Sequence, residues 1–184
     1  NTNLLNFLSS YSINVHFFNY YGFYTGTYYP KESLVSGKLL IKQVEHYTDK
    51  SKRLGIAKSF IEAASHNIYR NLTYYNNRGK DLTEYMKEIE YLRKQIKLCK
   101  DVSELMGIEG NIRKVYYDSW NIIINQDIAF EKRVKNPPDN AINSLISYVN
   151  TIIYTRVLSE IYKTQLNPTI SYLHEPSIRR FSLC

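Results

Sequence analysis

The feature that most constrains the fold is a change in hydrophobic pattern at Pro30. Before it, residues 13–18 alternate and are rich in β-branched and aromatic side chains, residues 19–22 are turn-like, and residues 23–29 return as a second strand. This order predicts a β-hairpin. Because a lone hairpin is only marginally stable in water, we expect this one to belong to a larger sheet.

After Pro30 the pattern predicts helices and no convincing strand. These predicted helices cover residues 32–77 with a break near 47–49, residues 82–98, residues 101–125 and residues 138–166. One further short helix is predicted before the hairpin, over residues 4–9. Asp101 is expected to cap its helix, and Glu104 is expected to complete a capping box. The expected fold class is therefore α+β, with a β-type region over residues 1–30 and a mainly helical region over residues 31–184.

The helix predicted from Pro138 to Leu166 is unusually apolar. Apolar residues cover much of its circumference: Ala141, Leu145, Tyr148, Val149, Ile152, Ile153, Val157, Ile161 and Tyr162. Pro138 suits the first turn of a helix, and Asn167-Pro168 would end it. Because a helix that is apolar on most sides is usually buried, we expect this one to be central and buried.

The composition favours a folded cytoplasmic protein with a polyanionic partner. Hydrophobic residues make up 43% of the chain, and the net charge is +7. A basic balance favours nucleic acid, and less often an anionic membrane surface. Cys99 and Cys184 have neither a CxxC nor a metal-ligand spacing, which fits a reducing compartment. Since no signal peptide and no apolar run of ~20 residues is evident, we expect no membrane partner.

Glu109 is the first candidate for chemistry. At about 100° per residue it shares a helix sector with apolar residues such as Leu105, so its carboxylate is expected on the core face. A buried carboxylate needs a cation, hydrogen-bond donors or a proton. Glu109 is therefore either a ligand or half of a structural pair with Arg113. Gly107 and Gly110 flank it, and because glycine costs a helix about 1 kcal/mol, they suggest that something approaches the backbone there.

His174 is the second candidate, and it follows the predicted central helix directly. A lone histidine either acts as a ligand or catalytic group, or is a hydrogen-bonded structural residue. His16, His46 and His66 have weaker sequence contexts, and we interpret them as structural.

Two basic clusters stand near these candidates in the sequence. Lys132, Arg133 and Lys135 form the first, and Arg179 and Arg180 form the second. Such side chains bind DNA phosphates, although a basic run is more often a solvated loop. Beside metal ligands, cations suit phosphodiester chemistry because they offset phosphate charge. These five residues are the predicted DNA contacts.

Three segments combine into a specific motif set. They are Leu-Met-Gly-Ile-Glu-Gly-Asn at 105–111, Lys-Asn-Pro-Pro-Asp-Asn at 135–140, and Tyr-Leu-His-Glu at 172–175, which Arg-Arg-Phe-Ser-Leu follows at 179–183. In order and spacing they closely resemble the CRISPR spacer-acquisition endonuclease/integrase family. The hairpin over residues 15–30 resembles the end of that family's N-terminal β-domain, so the resemblance spans essentially the whole chain.

The resemblance implies the end of an N-terminal β-sandwich-like domain at residues 1–30, through which the family forms homodimers, and a helical catalytic domain at 31–184. It implies a metal-dependent DNA endonuclease that integrates short foreign-DNA fragments into a CRISPR array by 3′-hydroxyl attack on the repeat. This is an activity of adaptive antiviral defence. The implied cofactor is Mg²⁺ or Mn²⁺, and the implied partners are double-stranded DNA and the small companion protein of the adaptation complex.

By the same resemblance, Glu109 matches the family's glutamate ligand and His174 its histidine ligand. The third ligand is an aspartate expected just beyond Leu183, and the chain ends at Cys184. Two carboxylates and an imidazole suit Mn²⁺ and tolerate Mg²⁺. We expect an enzyme whose 184 residues are inactive alone; the alternative is a catalytically incomplete remnant that only binds DNA or a partner.

Overall fold

The computed structural model describes residues 1–30, 36–124, 130–135, 137–176 and 181–184. In chain order its elements are α1 (Thr2–Ser10), β1 (Val15–Phe18), β2 (Tyr24–Tyr28), α2 (Gly37–Thr48), α3 (Lys50–Asn76), α4 (Thr83–Ile96), α5 (Val102–Asp118), α6 (Trp120–Ile123) and α7 (Ala141–Tyr162). This order confirms the predicted α+β class. Within the described residues no helix has both the length and the apolarity that crossing a bilayer requires.

The chain divides into two compact units, and both are discontinuous in sequence. Unit 1 comprises Asn1–Glu45, Pro138–Ile170 and Pro176–Cys184. Unit 2 comprises His46–Pro137 and Ser171–Glu175. Unit 1 therefore holds the hairpin and α7, whereas unit 2 holds α3 to α6 together with a short segment that follows α7 along the chain.

The predicted hairpin is confirmed in unit 1. The strands β1 and β2 pair antiparallel, with Val15 opposite Tyr28 and Phe17 opposite Gly26, and the register shifts between Phe17 and Phe18. Across the described part of the chain these two strands make the whole sheet. The expected larger sheet therefore stays a prediction.

The Asn19 side chain stabilises the hairpin turn by accepting hydrogen bonds from two backbone N–H groups of the turn. Its side-chain Oδ1 accepts hydrogen bonds from the backbone N–H groups of Tyr21 and Phe23, each at 3.0 Å. Gly22 takes the left-handed region, with a φ of 77°, which glycine adopts without steric cost. The turn-like residues named from the sequence are thus the turn.

The hairpin is joined to α7 by hydrogen bonds. The His16 imidazole contacts Thr27 Oγ1 at 2.7 Å through Nδ1 and Ser159 Oγ at 2.6 Å through Nε2. The Tyr29 hydroxyl donates to the Tyr162 carbonyl at 3.1 Å. Burial lowers the pKa of His16. Both ring nitrogens of His16 are thus occupied by the fold, which fits the predicted structural role.

The predicted ends of the long helix are wrong. α7 begins after Asn140, whose side chain accepts the Asn143 N–H at 2.9 Å, and it ends at Tyr162. Pro138 lies two residues before this cap and so is outside the first turn. The helix starts where an asparagine side chain can satisfy a free backbone N–H, which is a stronger start signal than the proline.

The expectation that α7 is buried is also wrong for much of its surface. Ile142, Leu158 and Ile161 are buried. Six other apolar residues are exposed: Leu145, Tyr148, Val149, Ile152, Ile153 and Val157. The apolar pattern indicates that burial of this surface would be favourable, but it does not identify the segment that would pack on it.

Unit 2 contains a hydrophobic core built by α3, α4 and α5. Its buried residues are Ala57, Ile61, Leu72, Leu82, Ile89, Leu92, Ile96, Cys99, Leu105, Ile112 and Val115. The break predicted near residues 47–49 is confirmed, because the Asp49 carboxylate accepts the N–H groups of Ser51 and Lys52 at 3.0 Å and starts α3. Gly79 has a φ of 86° in the turn after α3.

The start of α5 agrees with the sequence, but its end does not. Asp101 accepts the Glu104 N–H at 2.8 Å, as an N-cap does, while the Glu104 carboxylate reaches back to the N–H of Lys100 at 2.7 Å rather than to that of Asp101. At the other end, the buried Ser119 hydroxyl donates to the Tyr116 carbonyl at 2.6 Å. The helix predicted over residues 101–125 is therefore divided at Ser119 into α5 and α6.

Candidate active site

Glu109 lies at the edge of the buried face of α5. Leu105 and Ile112 on this face are 0% and 3% exposed, whereas the Glu109 side chain is 23% exposed. The Arg113 guanidinium, one turn on, forms an ion pair with the carboxylate. The half-buried Glu109 carboxylate therefore has a charged partner. That partner is Arg113, the residue named in the sequence-based alternative of a structural pair.

Gly107 and Gly110 have open space beside them. A Cβ built on either glycine meets nothing within 4 Å. The expectation that another group approaches this stretch of backbone is therefore wrong for the part of the chain that the structure describes. The exposed side of α5 around Glu109 is left smooth and accessible.

His174 is carried by a short non-helical segment, Ser171–Glu175, that belongs to unit 2. Ser171 and Tyr172 are buried, and Leu173 packs against the core of that unit. The His174 N–H donates to Ser171 Oγ at 3.3 Å. The His174 side chain itself is exposed. The segment is anchored by its apolar residues, and its imidazole is left accessible.

One arginine contacts the segment on both sides of His174, through a backbone carbonyl before it and a side-chain carboxylate after it. Arg53 Nε donates to the Tyr172 carbonyl at 2.9 Å, and Arg53 Nη2 pairs with Glu175 Oε1 at 2.8 Å. The Tyr47 hydroxyl donates to the other Glu175 oxygen, and the guanidinium lies 4.5 Å from the centre of the Tyr47 ring. The hydrogen bonds from Tyr47 and Arg53 lower the pKa of Glu175, since they favour its charged form.

The first basic cluster lies on an anchored loop in unit 2. Phe130 is buried at its start, and the Asn121 side chain bonds both backbone groups of Phe130, at 2.8 Å to the N–H and 2.9 Å to the carbonyl. Beyond this anchor Lys132 and Lys135 are exposed and Arg133 is half-buried. The loop thus presents cations to solvent from a fixed starting point.

Unit 2 gathers the described candidate residues. Glu109, His174 and the loop at 130–135 all belong to it, although the segment that carries His174 lies beyond α7 in the sequence. Arg179 and Arg180 lie outside the described residues. Among the residues that are described, no group of three or more His, Cys, Asp or Glu side chains is placed to hold a metal ion. Glu109 and His174 are a carboxylate and an imidazole, which are donor types that bind metal ions.

Sequence reasoning missed the residues that hold the site in place. Tyr47 and Arg53 bond residues more than a hundred positions away, and Asn121 bonds Phe130 across a loop. Neither kind of pairing leaves a periodic signal in the sequence. The one available hint was the apolar pair Tyr172-Leu173 beside His174, because apolar residues in a loop usually dock on a core.

Comparison with known proteins identifies the family. The family model for CRISPR associated protein Cas1 matches residues 1–184. The CRISPR-associated endonuclease Cas1 of Fusobacterium nucleatum is 68% identical over 183 residues, covering 100% of this chain and 54% of the relative. A Cas1 protein structure from Thermotoga maritima is 44% identical with a TM-score of 0.81, covering 100% of this chain and 57% of that one. This chain therefore belongs to the CRISPR associated protein Cas1 family.

The fold is also found in a more distant protein. A casposase bound to its integration product has a TM-score of 0.85 at 22% identity, covering 100% of this chain and 51% of the casposase. At that identity the likeness concerns the fold alone. The chain spans about half the length of the curated relatives it matches.

Proposed function

We propose that the protein containing these residues is a metal-dependent DNA endonuclease and integrase that inserts short foreign-DNA fragments into a CRISPR array. The observation that carries the proposal is that this Cas1-family chain places Glu109, His174 and the basic loop at 130–135 in one compact unit. These residues lie on three separate parts of the sequence. Their common unit supports a shared site.

Glu109 and His174 would hold the metal, Mg²⁺ or Mn²⁺. An oxygen and a nitrogen donor fit Mn²⁺ and are tolerated by Mg²⁺. When bound, the metal supplies Lewis-acid stabilisation of charge on a phosphate. The Glu109 carboxylate is engaged by Arg113, whose side chain is 58% exposed, so the guanidinium has room to turn away into solvent. The remaining ligand, an aspartate in the resemblance, would come from residues beyond Leu183.

The basic residues would bind DNA backbone. Lys132 and Lys135 project into solvent from the loop that Asn121 fixes. Phosphate contacts of this kind position a duplex without reading its sequence. Arg133 is proposed to bind DNA phosphates as well. Arg179 and Arg180 are assigned the same role from the sequence alone.

The reaction would be a transesterification. The 3′-oxygen of the fragment forms a bond to a phosphorus of the repeat, and the bond from that phosphorus to the 3′-oxygen of its own strand breaks. The proton of the attacking hydroxyl is lost and the leaving oxygen gains one, so charge and atoms balance. This chain's cations would offset phosphate charge during the exchange.

The proposed partners are double-stranded DNA, a second copy of the protein through the N-terminal domain, and the small companion protein of the adaptation complex. A net charge of +7 supports the first of these. The other two rest on family membership alone.

The proposal is tested by substituting the two ligands in the full-length protein. We expect Glu109→Gln and His174→Ala each to lower the rate of fragment integration into a repeat-bearing plasmid by more than about 100-fold, because loss of a ligand should exceed the 10- to 100-fold effect of outer-shell changes. Mn²⁺ affinity, measured by electron paramagnetic resonance, should fall as well.

Two matched controls separate ligand loss from charge or helix effects. Glu90→Gln removes a glutamate from an i,i+4 pair with Lys94 on α4, as Glu109→Gln does with Arg113 on α5. His66→Ala removes an exposed histidine of the same unit. Both should leave integration unchanged. Wild-type activity of Glu109→Gln would overturn the proposal.

A second function is favoured by a specific observation. Among the described residues, no three His, Cys, Asp or Glu side chains are grouped to hold a metal ion. This observation favours a catalytically incomplete remnant that only binds DNA or a partner. A Mn²⁺ titration of the 184-residue chain distinguishes the two. Tight binding by this chain would contradict the remnant; DNA binding without measurable Mn²⁺ binding, in both this chain and the full-length protein, would favour it.

A further inference from the structure

The position of His174 depends on a segment with no regular secondary structure. It follows α7 and lies outside any helix or strand, so its backbone carries no helical or sheet hydrogen bonds of its own. A metal ligand must nevertheless be held within a fraction of an ångström to be useful. The packing of Tyr172 and Leu173 anchors the segment, and a further contact comes from outside it.

Arg53 fixes the segment at two points that bracket His174. One nitrogen bonds the carbonyl two residues before the histidine, at 2.9 Å, and another bonds the carboxylate of the residue after it, at 2.8 Å. The guanidinium is planar, so its donors lie in a fixed fork. A single rigid group therefore sets the spacing between the two sides of the histidine.

The guanidinium is itself held in place. It lies 4.5 Å from the centre of the Tyr47 ring, and the Tyr47 hydroxyl bonds the second oxygen of the Glu175 carboxylate. The Arg53 side chain is only 15% exposed, although it is charged. Arg53, Tyr47 and Glu175 form a closed set of contacts, which we call the Arg53 clamp.

The clamp contributes more to position than to stability. The Glu175 side chain is 74% exposed, and exposed ion pairs contribute little to folding. The buried residues of the core of unit 2 do not include Arg53, Tyr47 or Glu175, so we expect that core to form without the clamp. The contact that acts directly on the backbone of the segment is the bond from Arg53 to the Tyr172 carbonyl.

We propose that Arg53 is a positioning residue for His174, acting through the Tyr172 carbonyl and the Glu175 carboxylate to aim the imidazole at the metal. The inference rests on the proposed function, in which His174 is a ligand. Arg53 itself touches neither metal nor DNA in this assignment. Lysine cannot substitute, because its single ammonium cannot span both acceptors in a fixed plane.

The experiment compares Arg53→Lys, Arg53→Met and Tyr47→Phe in the full-length protein. We expect Arg53→Lys to weaken Mn²⁺ binding by about 10- to 100-fold, as loss of an outer-shell contact does, with little change in the urea midpoint of unfolding. Amide hydrogen exchange in a peptide spanning 171–176 should become faster. Tyr47→Phe keeps the ring beneath the guanidinium and should have a smaller effect on both measurements.

Arg78→Lys is the matched control. Arg78 also stacks on a tyrosine, 3.5 Å from the Tyr74 ring centre, and its guanidinium donates to the Tyr74 carbonyl at 3.4 Å instead of to the His174 segment. It should leave both Mn²⁺ affinity and exchange at wild-type values. If Arg53→Met does not fold, Arg53→Lys and Tyr47→Phe carry the test.

The two readouts separate failure of this inference from failure of the proposed function. Wild-type exchange at 171–176 and wild-type Mn²⁺ affinity in Arg53→Lys would overturn the clamp. If His174→Ala keeps wild-type Mn²⁺ affinity, the assignment of His174 as a ligand fails. The positioning role of Arg53 then fails too, even if faster amide hydrogen exchange in Arg53→Lys shows that Arg53 holds the segment. Faster exchange together with weaker Mn²⁺ binding in Arg53→Lys supports the inference.

Discussion

α5 in unit 2 and α7 in unit 1 are both helices with substantial apolar surface, yet they are buried very differently. α5 buries Leu105 and Ile112 against its neighbours in the three-helix core. α7 leaves Leu145 61% exposed and Ile153 54% exposed. An apolar pattern thus shows which face of a helix favours burial. It does not show whether another segment packs on that face.

The largest expected effect tests this contrast directly. We expect Leu105→Ala to lower the free energy of unfolding by about 2–5 kcal/mol, because it leaves a cavity in a closed core. Leu145→Ala should change it by about 0.5 kcal/mol at most, as exposed substitutions do. Urea unfolding of the 184-residue chain measures both. Equal losses would show that α7 is covered after all.

The next effect concerns the open side of α5. Because nothing lies within 4 Å of a Cβ at Gly107 or Gly110, we expect alanine at either position to raise the free energy of unfolding by about 1 kcal/mol. Gly79→Ala should lower it by a similar amount, about 1 kcal/mol, because its φ of 86° strains any side chain. A loss of stability on Gly107→Ala would mean that another surface contacts this face.

A smaller effect tests the ion pair between Glu109 and Arg113 on α5. If Arg113 competes with metal for Glu109, Arg113→Gln should tighten Mn²⁺ binding by up to about fivefold, since partly exposed ion pairs contribute no more than about 1 kcal/mol. Lys114→Gln removes the same charge one position away and is the control. Weaker Mn²⁺ binding in Arg113→Gln would show instead that Arg113 positions the carboxylate.

The smallest effect belongs to unit 1. Burial holds the folded-state pKa of His16 below its usual 6.5, so the unfolded chain binds the proton more readily. Stability is therefore unaffected well above pH 6.5 and declines as the pH falls through 6.5 toward the lowered folded value. Chemical unfolding at pH 7.5 and pH 5.5 should show this decline, and His16→Gln should remove it.

Local signals in the sequence predicted most of the secondary structure. The predicted hairpin turn at Asn19, the predicted break near residues 47–49 and the predicted cap at Asp101 each depend on one side chain bonding a backbone group a few residues away. Such contacts can be predicted because both partners lie close together in the sequence. The division at Ser119 was missed because a buried serine hydroxyl within a helical pattern gives no distinct signal.

The site was predicted less completely, because its supports are long-range. Glu109 and Arg113 are one helical turn apart, and their pairing could be foreseen. The bonds of Arg53 to Tyr172 and Glu175 join residues more than a hundred positions apart, and no spacing rule finds them. The family motifs identified the candidate ligands, while the structure identified what holds one of them.

The discontinuity of unit 2 has a consequence for the order of assembly. Its helices α3 to α6 are synthesised before α7, but the segment that carries His174 emerges only after α7 is complete. A nascent chain can therefore bury Leu105 and present Glu109 while the imidazole is still inside the ribosome. Since closing such a long-range contact is slow compared with forming helices, we expect the segment that carries His174 to join unit 2 late, after the helical scaffold already exists.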